Sequence, residues 1–439
     1  MTHFGVLSHS GAGHLNPLMA LSRQLKARGH RVTFFQKPEL ATRVCLQGLE
    51  FHPIGNPNSS SRKDNRKETG EESEVTFREQ CAQVENIMDA VKQSLRDLPA
   101  ALTELKVDVL IVDEIIVAGP TLAQMLHIPY FIVSTSVPLS FGWPASHRSS
   151  TQGVQGSPPV ELQNAQLQVS AIHLYGPVRW KLDECRRQVG LGPIRRIYQE
   201  FPALAHITQL PRCLDYPRPK LPPNFHYAGP FVDDAVGSQA RFSWHLLDHR
   251  PLVYMSLGTA RAVQEHLFHP VAQACHDLNL QFVITLGGRT IPESFADLPG
   301  HPLVVKEAPQ LELVKLADII VTHCGLNTTL EALREGKPIL AIPIDHDQPT
   351  IADRLARLGA AELLSIRGLS ASEVRRSLQN LLTNRDYRNA AILLQGQIRA
   401  VNGLKIAADV IENALENHSS RVLQDPKDAE ASETRLKFQ

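Results

Sequence analysis

The chain has 439 residues, and its 45 Lys and Arg against 45 Asp and Glu leave no net charge at neutral pH. A length near three typical domains of ~150 residues excludes a disulfide-stapled miniprotein, and the charge balance removes the cationic field that nucleic-acid binding requires. A hydrophobic content of 43%, with 26 Gly and 30 Pro, fits a folded globular protein rather than a disordered one.

Cysteines 45, 81, 185, 213, 275 and 324 form no C-x-x-C pair and no Cys/His ligand spacing, so reduced thiols and no metal site are expected. The first residues lack a basic stretch leading into an apolar run with a cleavage site, and no run of ~18 apolar residues occurs. These features read as a cytoplasmic chain without a signal peptide or membrane span.

In chain order, 4–7 reads as a short apolar strand and 8–13 as a small, polar loop. Asn16 and Pro17 then open a helix, as cap and first-turn residue. Leu18, Leu21 and Leu25 form its buried stripe, Gly29 sits where a left-handed C-terminal residue is wanted, and 31–35 is extended again. That is a βαβ unit. Residues 56–74 are polar and read as a mobile surface loop. A helix over 75–98, a strand over 107–112, a short helix near Leu122 and a strand over 130–134 follow.

Around 221–241 the chain turns Pro-rich and then small and polar, which places a linker near 230–248. A second βαβ series begins at 252–258, and strands at 282–286, 303–306, 319–322 and 339–342 then alternate with helix-length segments. This is the pattern of a second parallel sheet covered on both faces. Three helical segments close the chain from 370 to 417. The expected organisation is α/β, with two Rossmann-like doubly wound domains (1–235 and 248–400) facing across a cleft, a C-terminal helix (401–418) and a polar tail (419–439).

Open parallel sheets bind ligands beyond the carboxyl ends of their strands, where loop amides and helix N-termini offer positive potential to phosphate. Four segments stand there: Ser10 to His14, Asp113 with Glu114, Ser256 to Thr259, and Thr322 to Asn327. In the last, His323 ends a strand and Gly325 permits close backbone approach. The following helix carries Asn327, Glu331 and Arg334 on one face and Leu326, Leu330 and Leu333 on another. An imidazole and an amide beside helix-start N–H groups can hold a diphosphate, and a carboxylate one turn on can accept from two ribose hydroxyls. At a later strand end, Asp347 and Gln348 have the donor and acceptor chemistry to grip sugar hydroxyls, although Asp-Gln is also an ordinary helix start.

The series Glu307-Ala308-Pro309-Gln310, then Thr322 to Glu331, then Gly336-Lys337-Pro338, then Asp347-Gln348 resembles the nucleotide-sugar signature of family 1 glycosyltransferases in order and spacing. The opening Gly13-His14-Leu15-Asn16-Pro17, the stretch from Arg28 to Phe34, and segments 210–231 and 347–355 resemble bacterial carotenoid (zeaxanthin) glucosyltransferases. That resemblance implies a GT-B fold, with the acceptor on the N-terminal domain and the nucleotide sugar on the C-terminal one.

Carried over by position, the resemblance makes His14 the general base and Asp113 its orienting partner. It puts His323, Asn327 and Thr328, with Gly325, on the diphosphate, and Gln310 and Glu331 on the ribose. Ala308 meets the base through its backbone, while Ser256, Gly258 and Thr259 line the phosphate path, Asp347 and Gln348 take the sugar, and Gly13 belongs to the nucleotide-sugar site. Where plant members stack a Trp on uracil, this chain has Glu307, and the Trp of their His-Cys-Gly-Trp-Asn motif is Leu326. The ~1–3 kcal/mol of aromatic stacking is therefore missing at that position. Phe231, Tyr254 or backbone contacts are the replacements to look for.

The implied activity is inverting transfer of a sugar, glucose by resemblance, from a UDP-sugar to a hydroxyl of a lipophilic small molecule. No cofactor or divalent ion is expected, since helix N-termini and His323 can stabilise the departing diphosphate. The implied partners are the donor and the acceptor, met by a monomer that touches the membrane peripherally if the acceptor is dissolved there. Rival readings are a UDP-sugar epimerase of the same fold and a catalytically silent binding protein. A nicotinamide enzyme is disfavoured because Ser10 to His14 lacks G-x-G-x-x-G. Apolar segments 115–117, 137–143 and 172–180 are candidates for an acceptor pocket or for ordinary core.

Overall fold

The computed structural model describes residues 1–55, 77–139, 176–194, 203–218, 221–233, 240–258, 267–288 and 295–424. Its first half contains strands β1 (His3–Leu7), β2 (Arg31–Gln36), β3 (Glu50–Pro53), β4 (Val109–Asp113), β5 (Tyr130–Ser134), β6 (His206–Thr208) and β7 (Phe225–Tyr227). They form one parallel sheet in the order β3-β2-β1-β4-β5-β6-β7. Helices α1 (Ala12–Ala27), α2 (Ala41–Cys45), α3 (Phe77–Glu104), α4 (Gly119–Leu126) and α5 (176–188) belong to this half.

The second half contains β8 (Leu252–Ser256), β9 (Gln281–Thr285), β10 (Leu303–Val305), β11 (Ile319–Thr322), β12 (Ile339–Ala341) and β13 (Ala361–Leu363). These pair in parallel in the order β10-β9-β8-β11-β12-β13. The accompanying helices are α6 (Phe268–Asp277), α7 (Gln310–Leu316), α8 (Leu326–Arg334), α9 (Gln348–Arg357), α10 (Ala371–Thr383), α11 (Arg385–Arg399) and α12 (Gly403–Gln424). Central strands such as β1, β4, β5 and β8 are buried along their whole length, as parallel strands covered on both faces must be.

Each sheet carries apolar clusters on both faces. Phe4, Val6, Leu18, Leu21 and Phe131 pack in one, and Leu7, Leu110, Leu122 and Tyr130 in another. The second sheet is flanked by a cluster with Ile320, Leu326, Leu330 and Leu333 and by one with Val253, Phe268 and Ile284. The first of these also takes in Val137, Leu210 and Leu214, so the two halves share buried apolar surface. Helix α12 crosses back: Leu404, Ala407, Ala408 and Ile411 pack into the cluster of α1. Arg28 pairs with Asp409 at 2.7 Å and with Glu412 at 2.5 Å along the same seam.

Four details differ from the expectation. Helix α1 starts at Ala12 behind Gly11, so Asn16 and Pro17 lie inside its second turn. Proline is tolerated there because the acceptor it leaves bare, the Gly13 carbonyl, takes another donor, described below. Helix α3 runs on to Glu104, with Pro99 inside it. The C-terminal helix reaches Gln424 rather than 418, because no Pro or Gly intervenes until Pro426. Strands β3, β6, β7 and β13 were not anticipated, since each is three or four residues long and interrupted by a polar or charged residue, unlike the equally short but apolar β10, β11 and β12. Segment 56–74 and residues 140–143 and 172–175 of the two apolar segments lie outside the described residues. No helix among the described residues is long and apolar enough to cross a membrane.

Candidate active site

The order β1-β4-β5-β6 places the carboxyl ends of four neighbouring parallel strands in a row, and each delivers a polar residue to the same rim. Beyond β1, the first turn of α1 carries His14; β4 ends on Asp113; Thr135 follows β5; Gln209 follows β6. His14 Nδ1 lies 2.9 Å from Asp113 Oδ2 and 2.7 Å from Thr135 Oγ1. An Nδ1–H donated to the carboxylate leaves Nε2 as the free lone pair. Asp113 is 1% exposed and is held by the His9 backbone N–H at 3.2 Å.

Burial disfavours the charged imidazole of His14, but the hydrogen bond and charge of Asp113, aided by Asp347 and Glu114, outweigh it and raise its pKa above the ordinary 6.5. Neighbouring His9 is exposed, its ring edge-on to that of His14 at 5.2 Å, and its Nδ1 accepts from the Gly11 N–H. Glu114 points away from the rim, accepting from Ser134 Oγ at 2.6 Å and from the Leu139 N–H at 3.0 Å.

The opposite rim is built by β8, β11 and β12. His323 follows β11 between two glycines: a Cβ at Gly325 would stand 2.6 Å from its Nε2, and one at Gly258 would stand 2.9 Å away. Gly258 also has φ +75°, so an unsubstituted backbone is required on both counts. Burial lowers the His323 pKa, with Asp347 and the Ser256 backbone opposing, so the ring is neutral near pH 7.

Helix α8 presents the anticipated faces, with Leu326, Leu330 and Leu333 buried and Asn327, Glu331 and Arg334 less so. Gln310, first residue of α7, donates from Nε2 to Glu331 Oε2 at 2.5 Å and to Thr328 Oγ1 at 3.4 Å. Thr328 therefore joins the Gln310–Glu331 pair. Burial raises the Glu331 pKa to about 7, opposed by the Gln310 hydrogen bond and Arg334. Ala308 lies in the half-buried turn ahead of α7. Thr259 lies outside the described residues.

Asp347 stands at the N-cap position of α9 without a side-chain capping hydrogen bond, and its Oδ2 accepts from the Val137 N–H of the first domain at 3.2 Å. Gln348 turns inward: its Oε1 accepts from the Ile344 and Asp345 amides at 2.9 and 3.0 Å, and its Nε2 donates to Asp345 Oδ1. Its amide is thus committed to shaping the loop that carries Asp347. Neither ring considered for base stacking is available. Tyr254 is 0% exposed, its hydroxyl donating to Gln310 Oε1, and Phe231 is 4% exposed in the core of the first domain. Glu307 itself is exposed. No group of three or more His, Cys, Asp or Glu side chains converges as a metal cage among the described residues.

The rims touch through Asn327. Its Nδ2 donates to the Gly13 carbonyl at 3.0 Å, and its Oδ1 accepts from Gln209 Nε2 at 2.8 Å. Candidate diphosphate and base residues thus stand against one another across the cleft.

Residues 198–412 match the protein family described as UDP-glucoronosyl and UDP-glucosyl transferase, and residues 6–132 match the glycosyltransferase family 28 N-terminal domain. The chain is a family 1 glycosyltransferase. It is 28% identical over 427 residues to the zeaxanthin glucosyltransferase of Pantoea ananas, covering 94% of this chain and 96% of that one. Among solved structures it is similar to CalG4, the calicheamicin glycosyltransferase, with a TM-score of 0.72 and 21% identity over 95% of this chain and 98% of the other. The spinosyn rhamnosyltransferase SpnG, solved with thymidine diphosphate, gives 0.64 and 20% over 94% and 99%. These likenesses establish the GT-B fold of two Rossmann-like domains for this glycosyltransferase.

In this glycosyltransferase Thr135 and Gln209 join the site without a signal in the sequence. Both follow very short or continuous apolar strands, and a lone Thr or Gln after a strand has no spacing that separates it from an ordinary loop residue. Only the sheet order, which sets β5 beside β4 and β6 beside β5, reveals them.

Proposed function

We propose that this glycosyltransferase moves glucose from a UDP-sugar to a hydroxyl of a lipophilic acceptor, a carotenoid such as zeaxanthin, with inversion and with His14 as general base. The observation that carries the proposal is the 2.9 Å contact of His14 Nδ1 with buried Asp113 on the rim that faces His323 and Asn327. An acceptor alcohol has a pKa far above 7, so its proton must leave as the new bond forms. His14 Nε2 takes that proton, the acceptor oxygen bonds the anomeric carbon, and the bond from that carbon to the diphosphate oxygen breaks. The electron pair leaves on the diphosphate. Asp113 fixes the Nδ1–H tautomer and stabilises the imidazolium formed.

On the other rim, neutral His323, the start of α8 and Asn327 are the donors offered to the diphosphate. Gln310 and Glu331 are the ribose pair. The family match favours UDP, whereas SpnG was solved with thymidine diphosphate, so the donor panel must include both. The relative from Pantoea ananas supports a carotenoid acceptor. We read the enzyme as a cytoplasmic monomer that reaches membrane-dissolved acceptors by peripheral contact, which sedimentation and vesicle flotation test.

The experiment is a matrix of UDP- and TDP-sugars against hydroxylated carotenoids, flavonoids, polyketides and sterols, with product mass as the readout. A glycoside formed from UDP-glucose and zeaxanthin is the expected result. An epimerised nucleotide sugar without glycoside would favour an epimerase instead.

Two substitutions separate the donor subsites. Asp347→Ala is expected to lower kcat/KM for the donor by about 10–100-fold and to leave acceptor KM nearly unchanged, since a carboxylate accepting sugar hydroxyls acts near the reacting carbon. Unchanged donor kinetics would remove Asp347 from the site. Gly325→Ala drives a methyl against the His323 ring, so nucleoside-diphosphate affinity measured by calorimetry is expected to fall about tenfold. Its backbone φ of −59° is one that alanine adopts, so any loss in melting temperature should be confined to the cost of displacing that ring. Affinity equal to wild type would take His323 off the diphosphate.

A further inference from the structure

The amide of Asn327 has no freedom of orientation in this structure, and the groups that fix it all belong to the other domain. The Thr135 carbonyl can only accept a hydrogen bond, so the nitrogen of Gln209 must face it, at 2.6 Å. The same nitrogen then donates its second hydrogen to Asn327 Oδ1 at 2.8 Å. That leaves Asn327 Nδ2 directed at the Gly13 carbonyl, another group that only accepts, at 3.0 Å.

Gly13 is available for a reason written in the sequence. In a regular helix its carbonyl would accept from the N–H of residue 17, four positions on, but residue 17 is proline and has none. Pro17 thus keeps open, one residue before His14, the acceptor on which Asn327 docks. Gln209 is 2% exposed, and Thr135 connects the chain of contacts to the base, its Oγ1 lying 2.7 Å from His14 Nδ1.

Resting on the reading of His323 and Asn327 as the diphosphate site, we propose that Gln209 is a positioning residue that sets the Asn327 amide for the diphosphate. The acceptor domain, through Gln209 and the carbonyl freed by Pro17, thereby completes the donor site of the other domain. One Nδ2–H of Asn327 is spent on Gly13 and the other is left for a phosphate oxygen. The donor is consequently gripped in full only when the rims meet, which is also when His14 Nε2 is brought to the sugar. An opened cleft holds the donor more weakly.

The test is a double-mutant cycle read by calorimetry with UDP and with TDP, accompanied by melting temperatures. Gln209→Met keeps the side-chain length and removes both donors. It is expected to weaken nucleoside-diphosphate binding about tenfold in the wild-type background and less than about twofold in an Asn327→Ala background, because its effect passes through Asn327. The loss in melting temperature should be the same in both backgrounds. Equal losses of affinity in both backgrounds, or none in either, would overturn the role of Gln209 while leaving the donor site standing. A wild-type enzyme that binds neither nucleotide would overturn the donor-site reading and this proposal with it. Should Gln209→Met fail to fold, Pro17→Ala probes the same contact from the other side. It gives the Gly13 carbonyl a helical N–H in competition with Asn327 and is expected to weaken binding about two- to fourfold. Unchanged affinity in Pro17→Ala would overturn the proposal.

Discussion

His14→Ala is expected to slow sugar transfer to an alcohol by about 10²–10⁴-fold, while nucleoside-diphosphate affinity changes by less than about threefold. The asymmetry follows from placement. His14 stands on the first turn of α1 with Nδ1 committed to Asp113 and Thr135, so it touches the reaction only through Nε2 and the acceptor proton. The donors assigned to the diphosphate lie on the other domain, beyond β8 and β11, and remain in place without the imidazole. Quenched-flow measurement of glycoside formation at saturating donor reads the chemical step, and calorimetry reads the donor. Loss of both together would mean that His14 serves to build the cleft rather than to accept a proton.

Asp113→Asn is expected to lower the plateau of kcat/KM by about 10²–10³-fold and to move its acidic limb, two effects with one origin. In the wild type the Asp113 carboxylate overcomes burial and raises the His14 pKa above 6.5. A base must be neutral to act, so activity falls as pH drops through that raised value. With the charge gone, burial is opposed only by Asp347 and Glu114, and the limb should move to lower pH even though the plateau is lower. A purely structural role for Asp113 would lower the plateau without moving the limb in that direction. Stability has the opposite pH sense. A raised folded-state pKa adds stability that is fully present below the unfolded value and is lost as pH rises through the folded one. Wild type should accordingly lose its stability advantage over Asp113→Asn as pH rises through the raised His14 value.

Much of the site was legible because parallel sheets place function at one edge. His14, Asp113 and His323 could be found by looking just past each apolar run, and the i, i+4 spacing of Asn327 and Glu331 put them on one face of α8. What failed to show were contacts set by the order of strands in space. Nothing in the chain near residue 209 indicates that β6 lies two places from β4, so Gln209 and Thr135 stayed hidden. Pro17 misled in an instructive way: proline after asparagine reads as a helix start, yet the helix begins five residues earlier, and the carbonyl bared by the proline is used by the opposite domain. Tyr254 was considered a base-stacking ring on aromatic character alone. Its place in central strand β8 buries it and turns its hydroxyl to Gln310 instead.

The most direct measurement is a single-turnover reaction of UDP-glucose with zeaxanthin, comparing wild type with His14→Ala and recording the anomeric configuration of the product by NMR. The account predicts a β-glucoside from the α-configured donor, formed about 10²–10⁴-fold more slowly without the imidazole. A product that retains the donor configuration, or a His14→Ala enzyme that transfers sugar as fast as wild type, would contradict it.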